Sequence, residues 1–569
     1  MQLSAGSEPT ATGAAPNSQH PDAHYQPLKA AIPEWLGKAS AARRLALKNT
    51  QPRLPDQLKA VPAAQHLRMK TLNGAHWTAQ NDVDQRLAHI QDVSAFAEPI
   101  LTAALKNRFD IELDVRTTFL RLYVPVTTPW FPVKTGARVW SVSLLDAVLH
   151  NFEEKETEDD AFEIESTFST EPTSTGQFET LAAIKDKLSI AAFTQLCREL
   201  DIGARYQSYL KENLGLDNPV AAAVLQLKID QSQKSALTAA LHFALMNRDI
   251  SQSHFILITG LLDGLQGMRI NGAELLCHEL TMLSASLTGV LVFSPDPEST
   301  RNTVKPVIYI PDDPEHPVKQ YASMADLAHA LTRRLRSKDY QRFFSRFVDY
   351  ERRGEFFATL NNRLSKITWH PPVPGSAEPT WRETPLDKPI LQLAITPIQR
   401  DLWRHLYQTK LNKILNDALV IAVPTATVDQ KARWAFWDSV VKIATSIIET
   451  AAFVIAPFVP GLGEAMLAYM AYQLLDETFE GIVEWAQGRT TEAFEHLMGT
   501  VESLIQLGTF ALGGVIGAGE FRKVLPEEIV AFIDRFKPVA LPDGQCMSTT
   551  RRCRHCLPTR SNASRSIRT

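Results

Sequence analysis

The feature that most constrains this chain is an apolar segment between Trp437 and Gly519, which is strongly hydrophobic but repeatedly interrupted. Its first block runs from Thr450 to Leu475 with one carboxylate inside it, and its second runs from Ser503 to Gly519. A transmembrane helix needs roughly 20 consecutive apolar residues, and the uncharged runs are shorter than that. A helix on a soluble surface shows a polar stripe at every turn, which these runs lack. The segment therefore indicates either a hairpin that inserts conditionally into a membrane or a buried pair of core helices.

The first apolar block contains the residues of a predicted turn. Pro457 and Pro460 cannot lie in an uninterrupted helix without the loss of backbone hydrogen bonds. Gly461 and Gly463 supply the backbone freedom that a tight turn requires. We therefore expect two apolar arms joined by this turn, with Glu464 at its tip.

Carboxylates surround the predicted hairpin. Glu464 lies at the tip, and further acidic residues flank the two arms: Glu449, Asp476, Glu477, Glu480 and Glu484. An ionised carboxylate at bilayer depth costs about 2.5–3.5 kcal/mol on insertion scales, and protonation removes most of this cost. Acidification is therefore expected to favour insertion into a membrane. A soluble bundle whose apolar faces pack on one another remains the alternative, and the glycines of the second block would permit a turn or close helix packing: Gly508, Gly513, Gly514 and Gly517.

Length and charge limit the class of protein. A chain of 569 residues is too long for one ordinary core, so a multidomain protein is expected. A net charge of -4 gives no reason to expect a nucleic-acid partner, which would require a basic face. Residues 1–27 are polar and rich in Ser, Thr, Pro, Ala and Gly, so they are expected to form a disordered tail without a secretory signal.

The hydrophobic patterns predict a mainly α fold with a minor β component, an α+β protein that is multi-helical and multidomain. Residues 28–368 are predicted as a helical and mixed region with short strands near 117–126, 289–295 and 305–311, and the run 254–265 also has a strand-like pattern. Residues 369–389 are expected to be a proline-rich connector, and residues 390–545 an apolar helical hairpin region. The basic, cysteine-containing residues 546–569 are expected to be a disordered tail.

No motif predicts catalysis or metal binding. Cys277-His278-Glu279 begins like a zinc-protease helix, but Met282 occupies the position of the second histidine, so a buried or half-buried core helix is expected there. The Cys553–Cys556 spacing is that of half a zinc site, yet no apolar pattern accompanies it. We found no phosphate-binding glycine loop that opens a helix. The sequence therefore predicts no catalytic residue, no metal and no cofactor.

Several ordered stretches resemble the N-terminal domain family of bacterial dermonecrotic toxins. They are IPEWLGKAS, FAEPILTAALKNRF followed by TTFLRLYVP, SLLDAVLHNFE, GVLVFSPDP, PVIYIPDDPEHPVKQYASMADL, YQRFFSRFV and APFVPGLGEAMLAYMAYQLLDETFEGI. Together they span roughly Ile32 to Gln545, and they are landmarks of a family and not one catalytic signature. The pattern stops at Gly544-Gln545, which predicts a frameshifted or truncated end.

The resemblance implies the leading, cell-entry part of a larger toxin, whose apolar helices help to cross a host membrane and whose effector module lies further downstream. It implies a protein made in the bacterial cytoplasm and exported without a signal peptide, with a host membrane at low pH and an unknown host receptor or protein as partners. The alternative is a soluble, non-catalytic scaffold or interaction domain in which the apolar hairpin is only the core.

Overall fold

The structure is a computed structural model that describes residues 29–128, 131–296, 305–371, 380–399, 401–429, 455–458, 463–478, 490–508, 518–534, 538–540 and 546–548. The chain divides into two compact units. The first combines Met1–Ala60 with Glu464–Thr569, and the second is the continuous stretch Val61–Gly463. Of the residues predicted for the apolar hairpin and its flanks, several lie outside the described residues: Glu449, Pro460, Gly461, Glu480, Glu484, Gly513, Gly514 and Gly517.

Helices form most of the described chain, which confirms the prediction of a mainly α protein with a minor β component. In chain order they are α1 (Glu34–Gly37), α2 (Ala41–Lys48), α3 (Asp56–Lys59), α4 (Ala63–Leu87), α5 (Val93–Phe109), α6 (Leu144–His150), α7 (Ala182–Lys187), α8 (Ile190–Leu200), α9 (Ile202–Asn213), α10 (Pro219–Met246), α11 (Gln252–Leu262), α12 (Met324–Leu335), α13 (Lys338–Ser345), α14 (Tyr350–Leu364), α15 (Leu402–Ile421), α16 (Thr425–Val428), α17 (Glu464–Thr478), α18 (Thr490–Gln506), α19 (Ala518–Val524) and α20 (Glu527–Asp534).

The strands form several small antiparallel sheets. They are β1 (Thr118–Thr128), β2 (Phe131–Ser143), β3 (Thr167–Thr170), β4 (Arg269–Ile270), β5 (Ala273–Met282), β6 (Ala285–Pro295), β7 (Val307–Tyr309), β8 (Val318–Gln320), β9 (Ser365–Trp369), β10 (Trp381–Pro385), β11 (Ala394–Pro397), β12 (Pro538–Ala540) and β13 (Cys546–Ser548). One sheet has the order β2-β1-β3, and a larger one has the order β11-β5-β6-β7-β8 with β4 paired to β5. The pairs β9–β10 and β12–β13 stand as separate two-stranded hairpins.

The structure corrects two predictions of secondary structure. The run 254–265, whose pattern is strand-like, forms helix α11, because a short apolar run does not distinguish a strand from a buried helix by its periodicity. Cys277-His278-Glu279 lies in strand β5 and not in a helix. Burial along β5 alternates approximately with period two, as expected for a strand that packs one face on a core.

Two hydrophobic cores are formed by the described residues of the second unit. The first joins helices α5, α6, α8, α9 and α15 to the β2-β1-β3 sheet, with Trp140, Phe152, Phe168 and Phe193 among its large buried residues. In the second core, helices α12, α13 and α14 pack on the β11-β5-β6-β7-β8 sheet through residues such as Leu331, Phe344 and Phe357. The longest helix, α10, begins where Asn218 accepts hydrogen bonds from the backbone N–H groups of Val220 and Ala221 and Pro219 occupies the first turn.

In the first unit, apolar residues of the C-terminal region lie at the interface of helices. Helix α17 carries the second half of the first apolar block and buries residues such as Tyr469, Met470 and Leu474. Helix α18 buries Phe494, Leu497, Val501 and Leu504, and packs on α2, α17 and α20. No helix within the described residues combines the length and the apolar character required to cross a bilayer.

Gly203, in helix α9, provides a direct test of close packing in the second unit. A Cβ atom at this position would lie 2.4 Å from the backbone nitrogen of Pro424 and 2.5 Å from the carbonyl carbon of Val423. The backbone of Val423 and Pro424 cannot move aside as a flexible side chain can. Gly203→Ala is therefore expected to lower the free energy of unfolding by about 3 kcal/mol, the upper end of the usual cost of an overpacking substitution. The exposed Gly136 has no atom within 4 Å of the same position, so Gly136→Ala is the matched control. Equal unfolding midpoints for the two variants would contradict the expected clash.

Candidate functional site

The candidate functional site is the place where the second unit holds its described residues of the first apolar block, 455–458 and Gly463. Residues 455–458 form a turn, in which Ile455 and Phe458 belong to the first hydrophobic core and Phe458 is only 3% exposed. The ring of Phe458 stacks on that of Tyr407 from α15, with centroids 5.6 Å apart and planes 5° from parallel. The described turn is therefore anchored in the second unit through the side chains of Ile455 and Phe458.

A buried amide holds the backbone of the same turn. Gln80, on α4, donates from Nε2 to the carbonyl of Phe458 at 3.3 Å and to Asp84 Oδ1 at 3.0 Å. Its Oε1 accepts a 2.6 Å hydrogen bond from Ser232 Oγ on α10. Because both ends of the amide are used, its orientation is fixed, and it links α4, α10 and the turn. We call the group formed by Gln80, Ser232, Tyr407 and Phe458 the hairpin seat.

A small cavity of about 30 Å³ lies beside the hairpin seat, large enough for about two water molecules. Its lining mixes polar with apolar groups, and it includes Gln80, Gln233, Asp312, Lys410 and Pro457. The side-chain nitrogen and oxygen of Gln233 are buried without a hydrogen-bond partner among the described residues. Polar groups of this kind are normally satisfied by buried water. The turn therefore rests partly on a surface with polar groups and not only on an apolar core.

Charged groups gather around this cavity. Burial lowers the pKa of Lys410 to about 8, while attraction to Asp312 and Asp230 acts in the opposite direction. Burial has the opposite effect on an acid and raises the pKa of Asp230. The Oδ1 of this residue has no hydrogen-bond partner in the described part of the chain. The Cε of Lys410 passes 3.3 Å from the position of a Cβ on Gly289, which has φ of +83°. These charges therefore lie in a partly buried space, where they interact more strongly than they would in water.

The loop after β7 forms a second contact with the apolar block. Gly463 lies against it, since a Cβ there would be 3.0 Å from the carbonyl oxygen of Asp313. Asp313 is completely buried and accepts hydrogen bonds from the N–H groups of Glu315 and His316, from Tyr340 Oη at 2.8 Å and from Arg334. The Asp312-Asp313 pair therefore combines ordinary turn chemistry with a rigid support for Gly463.

The structure places the predicted hairpin residues in different surroundings. Pro457 lines the cavity and Gly463 contacts the Asp312-Asp313 loop, both in the second unit. Glu464 is exposed and occupies the first turn of α17 in the first unit, a favourable position for a carboxylate beside a helix N-terminus. Asp476 is exposed near the end of the same helix, and Glu477 belongs to its last turn.

Gly508 has the role of a turn residue. Its φ of +70° lies in the left-handed region that glycine adopts without strain. It follows α18, and its N–H donates to the carbonyl of Ile505 at 2.9 Å. No atom lies within 4 Å of the position of an added Cβ, so the backbone conformation and not close packing requires glycine here.

Among the buried histidines of the second unit, burial lowers the pKa of three. His242 of α10 contacts the carbonyl of Gln65 at 3.2 Å and so connects α10 to α4, two of the helices that contribute to the hairpin seat. His254 contacts Ser251 Oγ at 2.8 Å. His278, in β5, is completely buried, with Nδ1 3.3 Å from the carbonyl of Val292 and no hydrogen-bond partner for Nε2 among the described residues. These side chains must lose buried interactions or gain a buried charge when acid protonates them.

The two free thiols in the described part of the second unit are poorly suited to nucleophilic chemistry. Its free thiols Cys197 and Cys277 are buried, and burial raises the pKa of both, which opposes formation of a reactive thiolate. His405 Nε2 and Glu279 Oε1 form a 2.8 Å pair between α15 and β5. Over the part of the chain that the structure describes, no three His, Cys, Asp or Glu side chains gather to hold a metal ion.

Comparison with known proteins gives a family match for part of the chain. No curated protein matches the sequence. A family model described as "Dermonecrotic toxin, N-terminal domain" matches residues 87–350, which include both larger sheets except β11, helix α10 and the Asp312-Asp313 loop. Gln80, α15 and the 455–458 turn lie outside the matched range. The expected resemblance is confirmed over this range: residues 87–350 match the dermonecrotic toxin N-terminal domain family.

Proposed function

We propose that this chain is the cell-entry region of a toxin, which holds its apolar segment in the hairpin seat at neutral pH and releases it toward a host membrane on acidification. The observation that carries the proposal is the way in which residues 455–458 are held. Ile455 and Phe458 reach the first hydrophobic core, and the turn is also held by one ring stack and one 3.3 Å amide hydrogen bond beside a partly polar cavity. Entirely apolar surroundings would hold so apolar a segment more strongly, because buried apolar area is the main stabilising contribution.

The three buried histidines with a lowered pKa support release on acidification and not on a rise in pH. Because the folded-state pKa of each is lowered below 6.5, the unfolded state binds more protons once the pH falls below that value. Stability then decreases on acidification, as linkage requires. Asp230 acts in the opposite direction because its folded-state pKa is raised. Lys410, with a pKa of about 8, remains mostly protonated throughout the acidic range and adds little to the change.

The predicted carboxylates act at a later stage of the same proposal. Glu464 and Asp476 are exposed in the structure and therefore accessible to protons. Protonation would lower the cost of carrying them into a bilayer, about 2.5–3.5 kcal/mol for an ionised carboxylate at the centre of a helix. Histidine protonation would thus loosen the folded state, while carboxylate protonation would stabilise the inserted one.

The proposed role is not enzymatic. It includes export from the bacterial cytoplasm without a signal peptide, recognition of an unidentified host receptor or protein, and association with the host membrane at low pH. The effector activity would belong to a separate module. Neither a nucleic-acid partner nor a cofactor is part of the proposal.

A soluble scaffold or interaction domain is the second candidate function. It is favoured by the first unit, where α17 and α18 already bury their apolar faces against neighbouring helices. In that case the apolar residues are only the core, and the chain would present a surface to a host protein without entering a bilayer.

Dye release from phospholipid vesicles tests the two functions against each other. The entry proposal predicts release at about pH 5 but not at neutral pH, in the range where buried histidines protonate. Glu464→Gln should move the onset of release to higher pH, because the variant no longer needs a proton at that position. Glu495→Gln makes the same change at an exposed position of α18 and should leave the onset unchanged. If a folded protein released no dye at either pH, the entry proposal would be wrong and the scaffold function would be favoured.

The histidine contribution can be measured without lipid. Denaturant titrations give the free energy of unfolding, which we expect to decrease as the pH falls below 6.5. His278→Met should make this pH dependence shallower, because it removes a buried group whose pKa is lowered. His329→Met is the control, since this histidine of α12 is exposed. The same slope in wild type and His278→Met would show that His278 does not contribute to acid sensitivity.

A further inference from the structure

The hairpin formed by β9 and β10 exposes an unusual amount of apolar surface. Strand β9 continues directly from helix α14, and every residue from Lys366 to Trp369 and from Trp381 to Pro385 is exposed. Trp369 is 73% exposed, Ile367 53% and Trp381 43%. A two-stranded hairpin that packs neither face on a core is marginally stable by itself. Its exposed indoles therefore indicate a surface that another body covers.

The strand register concentrates these residues on one face. Trp369 is paired directly with Trp381, and Ile367 with Glu383, whose carboxylate accepts a hydrogen bond from Ser365. Because side chains alternate along a strand, the other face carries the remaining pairs, Thr368 with Arg382 and Lys366 with Thr384. The hairpin is thus amphipathic, with two paired indoles on one side and two cations on the other.

The charge around the hairpin favours an anionic surface. Residues 363–390 contain four cations, Arg363, Lys366, Arg382 and Lys388, and three anions, Glu378, Glu383 and Asp387. Arg336 adds a fifth cation at the root of the hairpin, where it donates to the carbonyl of Leu386 at 2.6 Å. Five cations and three anions give a local charge of +2, in contrast to -4 for the whole chain.

We propose that the β9–β10 hairpin is a membrane-surface contact, which places the indoles of Trp369 and Trp381 at the headgroup level of a bilayer containing anionic phospholipid. Tryptophan concentrates at this level because its ring is amphipathic, and long basic side chains extend from there to phosphate groups. Cations close to such a surface add electrostatic attraction that falls off within a Debye length. The contact operates at neutral pH and does not require the apolar segment to leave the hairpin seat.

Vesicle floatation of the full chain at neutral pH tests this contact separately from acid-driven release. Wild type is expected to bind phosphatidylcholine vesicles that contain phosphatidylserine. Trp369→Ser combined with Trp381→Ser is expected to weaken the binding about tenfold or more, since two indoles lose their immersion. Val220→Ser with Leu227→Ser removes two other exposed apolar side chains, on α10, and is the matched control that should bind as wild type does.

A charge-reversed variant tests whether the hairpin prefers anionic phospholipid. Lys366→Glu with Arg382→Glu should weaken binding to vesicles with phosphatidylserine and lose the preference for them over phosphatidylcholine alone. All the substituted side chains are exposed, so unchanged thermal unfolding is expected for each variant. Failure of wild type to bind either vesicle, or unchanged binding by the double tryptophan variant, would overturn the proposal, even if acid-driven dye release occurred. If wild type bound both kinds of vesicle equally, the proposed preference for anionic phospholipid would be wrong.

Discussion

Asp313→Ala is expected to lower the free energy of unfolding by about 3–5 kcal/mol, because breaking a buried ion pair leaves an uncompensated charge. Arg334 is largely buried and would lose its carboxylate, and the N–H groups of Glu315 and His316 would lose their acceptor. The hydroxyl of Tyr340 would lose its partner as well. Denaturant unfolding followed by circular dichroism measures the change.

The control for Asp313 is an acidic residue in an exposed ion pair. Asp339 forms such a pair with Arg342 one turn along α13, and its side chain is 90% exposed. Asp339→Ala should cost no more than about 1 kcal/mol, the usual value of a surface pair. If the two variants lost similar stability, Asp313 would not be the structural centre of the loop that supports Gly463.

Phe458→Ala is expected to have the largest effect on the proposed release. Removing a buried phenylalanine costs about 3–5 kcal/mol, and here the loss falls on the contact with Tyr407 that holds the turn. The variant should release dye from vesicles at a higher pH than wild type, because less protonation is needed to free the segment. The onset of release along a pH titration gives the measurement.

A second buried phenylalanine separates local release from general destabilisation. Phe344 belongs to the other core of the second unit, among helices α12, α13 and α14. Phe344→Ala should cost a comparable amount of stability but move the onset of release less than Phe458→Ala does. Equal shifts would mean that overall unfolding, and not the hairpin seat, controls release.

Much of the helical fold follows from local sequence patterns. Asp217-Asn218-Pro219 predicts a break between helices, and the structure begins α10 at Pro219 with Asn218 as its cap. β1 was also predicted closely, whereas β2 was not, because Pro132 and Gly136 are typical of a turn. The sheet order explains why a strand can form there. β2 is an edge strand, and an edge strand tolerates proline because one of its sides has no neighbouring strand to bond.

The candidate site was less predictable, since it depends on contacts between distant parts of the chain. Pro457 and Gly463 were predicted from their turn chemistry alone. Gln80 and Lys410 were missed, because a polar residue on a helix ordinarily faces water and nothing local links either one to residue 458. One usable signal was present on α4, where Asn73, Gln80, Asn81 and Asp84 share a helical face and are all buried. A helix with polar residues on its packed face indicates a polar interface.

A fluorescent probe at position 457 tests most directly whether the apolar segment leaves the hairpin seat for a membrane. Pro457→Cys provides the attachment site, with the tail residues Cys546, Cys553 and Cys556 replaced by serine. Cys197 and Cys277 are buried and would remain. With vesicles that carry a quencher in their hydrocarbon core, the probe should be quenched at about pH 5 and not at neutral pH. A probe that stays unquenched at both pH values, in a chain that remains folded, would contradict acid-driven insertion.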